Sequence, residues 1–537
     1  MMSRFEDNIS PPFDCFRLVV LSSLSVLLAF ALVGCDSAGS NGGGNVNDPG
    51  DGNEDDSDTT TVSAPVGGYR SQAAPIVVDG EGDDWTALSV RHEDAGDGNG
   101  PVGLERLWVA HTEGYLFLRL TVEQTLNLQE NNNLTLYLDT DNDTTTGTQT
   151  LGLGAELEWT FGQRSGRLRG QTVGHADIGL TSLPTVRADT FEIALDRSAE
   201  FEGRPLFPSD SLRIGLSSGD DRLPNENGGL GYVLSDTEAA ADAPSLNNLS
   251  TADARLLSYN VLKGSIFDAA VQPNYRRILD ATAPDILALQ EVSETAAETE
   301  QVAEADLGIP DAWAWAKAGN DLVLGSRFPI QDTHVIPGAA NRPSGAFLLD
   351  TQLSPTGELI VVNMHPPCCN FEGGPNERSS NEKRQLVVDG VVAFLRDVKR
   401  GNGPFGVQSG TPIVVAGDMN FVGDSQQPLT LRTGEIQNTD RFGQPAAPDW
   451  DNSSLLDTNP RQTGAPLHTT WFNPESSFPP GRLDYVYVTD SAMDVSHEFV
   501  LNTRQLPDAA LNDNDLQRND TGAASDHLPI VVDLAFR

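Results

Sequence analysis

The chain has 537 residues, too many for one compact domain, with an apolar share of 38% that suffices for cores and 51 Gly and 33 Pro that mark many turns. Its 34 Lys+Arg against 77 Asp+Glu leave a formal net charge of -43, and Lys263, Lys317, Lys383 and Lys399 are its only lysines. That balance excludes broad, passive coating of nucleic acid, which needs a basic face, but not a phosphate group held locally by metal ions. Acidic excess spread along the whole chain is expected of a protein kept soluble in high salt.

Residues 1–35 read as a targeting segment. Arg17 precedes an apolar run from Leu18 to Val33, and Gly34-Cys35 follows. A run of about sixteen residues is short for a membrane span and suits a signal peptide. Leu32-Val33-Gly34-Cys35 resembles a bacterial lipobox, which implies lipidation at Cys35, export, and a membrane attachment made only by the lipid. A plain signal peptide cut nearby is the alternative. Glu6, Asp7 and Asp14 are unusual for a leading region and point to a later start codon. Residues 36–64 are Gly, Asn, Asp, Ser and Thr with little to bury, as in a disordered acidic tether.

Residues 65–244 are β-patterned. LWVAHTEGYLFLRLTVE alternates around Glu113-Gly114, a hairpin signal, and NLTLYLDTD, AELEWTF, TFEIALDRS and DSLRIGLSS are further short strands. Frequent turns and no strong helical run predict an all-β sandwich. PIVVDGEGDDWTAL, followed by LDTDNDTTTG and GAELEW, resembles a family 9-type carbohydrate-binding module over roughly 170 residues, by its strand and turn motifs. The resemblance implies polysaccharide as a partner. Asp139, Asp141 and Asp143 alternate like the start of a calcium loop, but the Gly and Glu that an EF-hand loop needs later are missing. A structural Ca²⁺ helped by Glu156 and a solvated acidic turn both fit. Trp85 and Trp108 suit either sugar stacking or a core.

Residues 245–254 form a second linker, and from residue 255 to 537 strands alternate with helical segments. The expected architecture there is an α/β four-layered sandwich, two packed β-sheets flanked by helices. Polar residues mark its strand ends. Asn260 ends LLSYN, Glu291 ends ILALQE, His365 ends IVVNMH, and Asp418 and Asn420 end IVVAGDMN. Asp526 and His527 precede LPIVVDL, and Asp484 stands in RLDYVYV. Side-by-side strands bring such ends to one rim, and this combination of side chains suits a hard-oxygen metal site with proton-transfer groups.

The motifs YNVLKG, LALQEV, GSRFPI, GDMN, RLDYVYV and SDHLP, in this order, resemble the endonuclease/exonuclease/phosphatase superfamily with its deoxyribonuclease-I-like fold. The resemblance implies a monomeric hydrolase of phosphodiester bonds that uses Mg²⁺ or Mn²⁺. Glu291 would be the principal metal ligand, with Asn260 beside it and Asp526 a further ligand. His527 would be the general base for water, oriented by Asp484. Asp418 and Asn420 would position nucleophile and phosphate, and His365 would hold the phosphoryl group or assist the leaving oxygen. DNA or RNA is the expected substrate; sphingomyelin or a small phosphoester is the alternative, and a non-catalytic glycan-binding surface protein is a further one. Arg342, Arg378 and Arg384 are candidate phosphate contacts, against the plainer reading of solvated arginines. Cys368 and Cys369 follow His365 and two prolines. Two adjacent thiolates on one zinc make poor geometry, so the pair reads as a stiffening rim, either as thiols or as a disulfide.

Overall fold

The computed structural model describes residues 63–94, 96, 100–235, 242–247, 251–339, 341–369 and 378–537. The expected signal peptide, the expected lipidation site Cys35 and nearly all of the expected acidic tether lie outside these residues. One compact unit spans Thr61–Arg537.

The N-terminal part of that unit is built from two sheets. One has eight strands, with Leu230–Val233, Ser211–Ser218, Thr135–Asp139 and Leu157–Thr160 at its centre. The other has five, in the order Leu180–Leu183, Ala188–Asp196, Tyr115–Leu126, Leu104–His111 and His92–Glu93. Period-two alternation sends Leu116, Leu118 and Leu120 of one sheet and Leu136, Leu138, Ile214 and Leu216 of the other into a shared core. The expected β-sandwich is therefore the observed packing. Trp85 and Trp108 are both buried, Trp85 donating through Nε1 to Glu192 at 2.7 Å and Trp108 lying under Arg119. They are core residues rather than exposed stacking platforms.

The C-terminal part has two six-stranded sheets. The first runs Ala314–Lys317, Val323–Ser326, Ile286–Gln290, Ala254–Asn260, Ile530–Phe536, Met493–Val500. The second runs Ile330–Ala339, Arg342–Asp350, Glu358–Met364, Ile413–Asp418, Asp484–Val488, Leu456–Asp457. Leu256, Ile286 and Ala288 of the first meet Phe347, Leu359, Val361 and Val414 of the second in one apolar layer. On the outer faces, the helix Gln272–Thr282 covers the first sheet through Tyr275 and Ile278, and the helix Ser380–Lys399 covers the second through Val387, Val388, Val391 and Leu395. This is the helix–sheet–sheet–helix layering expected from the strand pattern. The Ser380–Lys399 helix begins on a capping box, Ser379 accepting from Glu382 N while Glu382 reaches back, which satisfies two otherwise orphaned donors. Leu246, in the expected second linker, is buried in the core beneath the first sheet, and its carbonyl accepts from Arg255.

The sandwich and the four-layered part share a core. Ile76, Val78, Trp85 and Phe117 pack with Ala465 and Leu467. Val78 pairs with Leu467 and Val186 with Gly423 as parallel bridges. Thr185 Oγ1 donates to the Phe421 carbonyl at 2.8 Å. Arg164 lies over the Phe478 ring, and His175 Nε2 meets the Ser476 carbonyl at 3.1 Å.

Candidate active site

The two central strand pairs of the C-terminal part deliver the site. Ala254–Asn260 runs parallel to Ile286–Gln290, so Asn260 stands opposite Gln290 and next to Glu291. In the second sheet Glu358–Met364 runs parallel to Ile413–Asp418, and Asp418 pairs with Asp484 across an antiparallel register. His365 follows the first of these strands directly. Glu291 and Asn420 have φ of 64° and 48°, the left-handed region that non-glycine residues avoid. Such outliers at a cluster of polar side chains are backbone held against its preference by its surroundings.

All of the expected residues reach this rim, and most are buried. His527 places Nδ1 2.8 Å from Asp484 Oδ2. The same Asp484 oxygen accepts from Thr470 Oγ1 at 2.7 Å. Asp484 is therefore fixed from a second side, and it leaves His527 Nε2 facing Asp418 Oδ2 at 3.7 Å and Asn260 Nδ2 at 3.5 Å. Asn260 Nδ2 donates to Asp418 Oδ2 at 2.9 Å and to Glu291 Oε1 at 3.1 Å. The Lys263 backbone N–H donates to Glu291 Oε2 at 2.6 Å. Asn420 donates to the Pro366 carbonyl at 3.1 Å, so its amide nitrogen anchors the turn after His365. Asp526 is half-buried with Oδ1 lacking a hydrogen-bond partner, while its carbonyl accepts from Phe472 N.

A second imidazole mirrors the first. His365 Nδ1 lies 2.8 Å from Asp321 Oδ2, and Arg342 Nη1 donates to that oxygen at 2.7 Å. Its Nε2 faces Asp418 Oδ2 at 3.5 Å and Glu291 Oε1 at 3.9 Å. Strand-end reasoning missed Asp321 because it precedes its strand. Val323–Ser326 runs antiparallel to Ile286–Gln290 with Val323 opposite Leu289, so the start of one strand meets the end of the other at the same rim. Thr470 and Ser525 were missed as well. Ser525 Oγ donates to the Asn260 carbonyl at 2.8 Å and accepts from His527 N at 3.1 Å. Nothing in the spacing of these two hydroxyls separates them from loop polarity.

The electrostatics follow from this crowding of carboxylates. Burial would lower the His527 pKa, but the Asp484 and Asp418 charges and the Asp484 hydrogen bond raise it to about 10. His365 is raised too, burial opposing and Asp321 prevailing. Burial pushes Asp418 up to about 6, against the pull of the two imidazoles and Asn260. Glu291 is held low: burial opposes, and His365, Asn260 and the Lys263 amide outweigh it.

Glu291, His365 and Asp418 offer one ligand atom each within 4.8 Å of one another, and so do Asp418, Asp484 and His527. Asp484 Oδ1 and Asp526 Oδ1 are buried without hydrogen bonds. An oxygen-rich set with orphaned carboxylate oxygens and an excess of negative charge fits a divalent cation.

Of the candidate arginines, Arg342 meets this set, its Nη1 lying 2.9 Å from His365 Nδ1. Arg378 is exposed. Arg384 is fully buried and spends its guanidinium on the Pro367 and Val422 carbonyls and on Asn381, so it is scaffold rather than a phosphate contact. Cys368 and Cys369 are not joined as a disulfide; Cys369 Sγ donates to Cys368 Sγ at 2.8 Å. That contact lowers the Cys368 pKa to about 7 against the effect of burial.

In the N-terminal part, Asp139, Asp141 and Glu156 gather, whereas Asp143 is exposed and accepts from Thr145 of its own turn.

The chain is similar to solved structures at low identity. One is the human Nocturnin catalytic domain with bound sulfate anion, at 16% identity and TM-score 0.32, covering 55% of this chain and 100% of that one. Another is sphingomyelinase C from Streptomyces griseocarneus, at 15% identity and TM-score 0.33, covering 52% and 98%. A third is the 3'-5' exonuclease NExo from Neisseria meningitidis, at 16% and 0.30, covering 52% and 98%. No curated protein matches. The model of the Endonuclease/Exonuclease/phosphatase family matches residues 257–527, from the first strand of the C-terminal part through His527. With half of its length matched and the site residues gathered at one rim, the chain belongs to the endonuclease/exonuclease/phosphatase family of phosphoric ester hydrolases.

Proposed function

We propose that the protein is an exported, lipid-anchored hydrolase of phosphodiester bonds that requires a divalent cation, Mg²⁺ foremost, and that nucleic acid is its substrate. The observation that carries the hydrolytic reading is the His527–Asp484 pair, whose free Nε2 faces Asp418, Asn260 and, beyond them, Glu291. Glu291 and Asn260 would hold the cation, with Asp526 Oδ1 as a further ligand. When bound, the ion polarises the phosphoryl oxygen and offsets the charge that builds on it.

The chain's own residues supply the rest. In its neutral form, with Nδ1–H donating to Asp484, His527 accepts a proton at Nε2 from the attacking water, and Asp484 fixes the tautomer and stabilises the imidazolium. Asn260 and Asp418 line the approach of that water. His365, braced by Asp321 and with its pKa raised by Asp321 and Asp418 against burial, turns Nε2 toward the same space, where an N–H there would donate to a phosphoryl or leaving oxygen. Export and anchoring rest on the Leu18–Val33 run and Gly34-Cys35. Polysaccharide binding by the N-terminal sandwich would hold the enzyme at a surface, with a contact region other than the buried Trp85 and Trp108. The assay that tests this reading sets DNA, RNA, sphingomyelin and a small phosphodiester side by side, with Mg²⁺ and with chelator, over a range of salt. Cleavage of DNA or RNA above the others is expected. Sphingomyelin as the preferred substrate would overturn the choice of nucleic acid but not of the reaction.

A further inference from the structure

The strand Thr135–Asp139 ends on a carboxylate that its surroundings do not explain. Asp139 is fully buried, and neither of its side-chain oxygens has a hydrogen bond of normal geometry. A buried ionised group without a partner costs several kcal/mol, on the order of 2–7 even for a neutral polar one, so it persists only where something compensates it. Two more carboxylates stand beside it. Ligand oxygens of Asp139, Asp141 and Glu156 lie within 4.8 Å of one another.

The other two are held in place by the loop. Glu156 Oε2 accepts from Thr140 N at 2.8 Å, and its Oε1 accepts from Thr146 Oγ1 at 2.9 Å. Asp141 Oδ1 accepts from Asp143 N at 2.9 Å, and its Oδ2 from Thr146 Oγ1 at 3.1 Å. Thr146 Oγ1 thus stands between Asp141 and Glu156 with one proton to serve both, and the loop folds back tightly over them. A Cβ at Gly147 would stand 2.8 Å from Glu156 Oε1, and one at Gly154 would stand 2.5 Å from the Asp143 carbonyl. Asp139 is the member with no hydrogen bond of normal geometry, and it offers an oxygen to the cluster. Burial, then the Glu156 and Asp141 charges, push its pKa up to about 6, and the nearby Gly154 amide and Arg213 relieve this only in part. Arg213 spends its guanidinium on Asn142 Oδ1 and on the Ser63 and Gly228 carbonyls.

We infer that Asp139, Asp141 and Glu156 bind a hard divalent cation, calcium by its chemistry, at a second site separate from the hydrolytic centre. All three side-chain donors are oxygens, which excludes a soft-metal site. Asp139 ends one strand, Asp141 stands in the turn after it, and Glu156 precedes the strand Leu157–Thr160, so that water or carbonyl oxygens would have to complete a coordination of six to eight, as Ca²⁺ takes and the strictly octahedral Mg²⁺ does not. The ion would lock the loop between Asp139 and Glu156 to the middle of the eight-stranded sheet.

The test is calorimetric titration of the full chain with CaCl₂ alone, run in excess MgCl₂ so that the hydrolytic centre is already occupied. One calcium-binding event is expected in the parent. It is expected to be lost or weakened at least tenfold in Asp139→Asn and in Asp141→Asn, and to persist in Glu291→Gln. A thermal melt gives a readout that binding heat does not. Calcium raises the midpoint of the parent by several degrees and does not move that of Asp139→Asn, because a ligand stabilises only the state that binds it. Without calcium, Asp139→Asn melts at or above the parent, since the substitution removes a repelling charge. The inference is overturned by the absence of any calcium event at millimolar concentration. It is equally overturned by an event unchanged in Asp141→Asn, which keeps the test alive if Asp139→Asn does not fold, or by one abolished in Glu291→Gln.

Discussion

His527 Nδ1 and Asp484 Oδ2 stand 2.8 Å apart, and the same Asp484 oxygen is held by Thr470 Oγ1 at 2.7 Å. Asp484 therefore has one orientation, and it fixes the imidazole with Nε2 toward Asp418 and Asn260. Asp484→Asn keeps the shape but offers an amide where an acceptor is needed, which favours the wrong tautomer. The expected result is a fall in turnover of about 10²–10⁴-fold with little change in KM. Steady-state kinetics on a small phosphodiester checks this, and a fall confined to KM would contradict it.

The second imidazole makes a separate prediction. Asp321 braces His365 and neutralises Arg342. Asp321→Asn removes the negative charge that raises the His365 pKa and leaves only a neutral amide beside Nδ1. A hydrogen bond to a charged group is worth about 1.5–3 kcal/mol, so turnover should fall by roughly tenfold to a hundredfold, less than for Asp484→Asn. The readout that separates positioning from mere structure is the pH profile. The limb that requires a protonated His365 should move to lower pH in the variant.

The pH behaviour of the chelated protein follows with its sign. His527 and His365 are both raised in the folded state, His527 to about 10 from an ordinary 6.5. The contribution of His527 to stability is fully present below about 6.5 and is lost as pH rises toward 10, and that of His365 has the same sign. In chelator the thermal midpoint should fall across that window. Adding Mg²⁺ places positive charge among the carboxylates that hold the protons, so the His527 titration followed by NMR should shift downward. An unchanged titration would place the ion elsewhere.

Most of the site was legible before the fold was known, because apolar strands ending on Asn260, Glu291, His365 and Asp418 must share a rim. The antiparallel partners were harder. Asp484 was found through its motif, whereas Asp321, at the start of its strand, had no signal without the register. The burial of Arg384 was equally hidden, since its partners are the Pro367 and Val422 carbonyls, far apart in sequence. The least visible feature was the shared core of the sandwich and the four-layered part. Val78, Trp85 and Leu467 look like ordinary strand and loop residues until Val78 pairs with Leu467.

That shared core makes removal of residues 65–244 more than the loss of a binding module. The segment after Leu467 carries Thr470, and Trp471 pairs with His527 by its backbone. Deleting the sandwich exposes Ala465 and Leu467 and loosens the segment after Leu467, whose Thr470 holds Asp484. The truncated chain should lose at least tenfold in turnover or fail to fold, since each large apolar side chain left uncovered, such as Leu467, forfeits about 1.5–3 kcal/mol of burial. Arg164→Ala with His175→Ala, which releases the segment around Phe472 and Phe478, should lower turnover in the full chain without loss of the fold by circular dichroism. Full activity in both proteins would show that the sandwich is a detachable tether.

The central claim is metal-dependent phosphodiester hydrolysis with His527 as the base. Its most direct test is turnover of a phosphodiester by the parent and by His527→Ala, each with Mg²⁺ and with chelator. The parent should hydrolyse it only with the cation, and the variant should be slower by at least about 10²-fold while keeping the parent's circular dichroism. Turnover by His527→Ala at the parent's rate, or hydrolysis by the parent that chelator does not affect, would contradict the account.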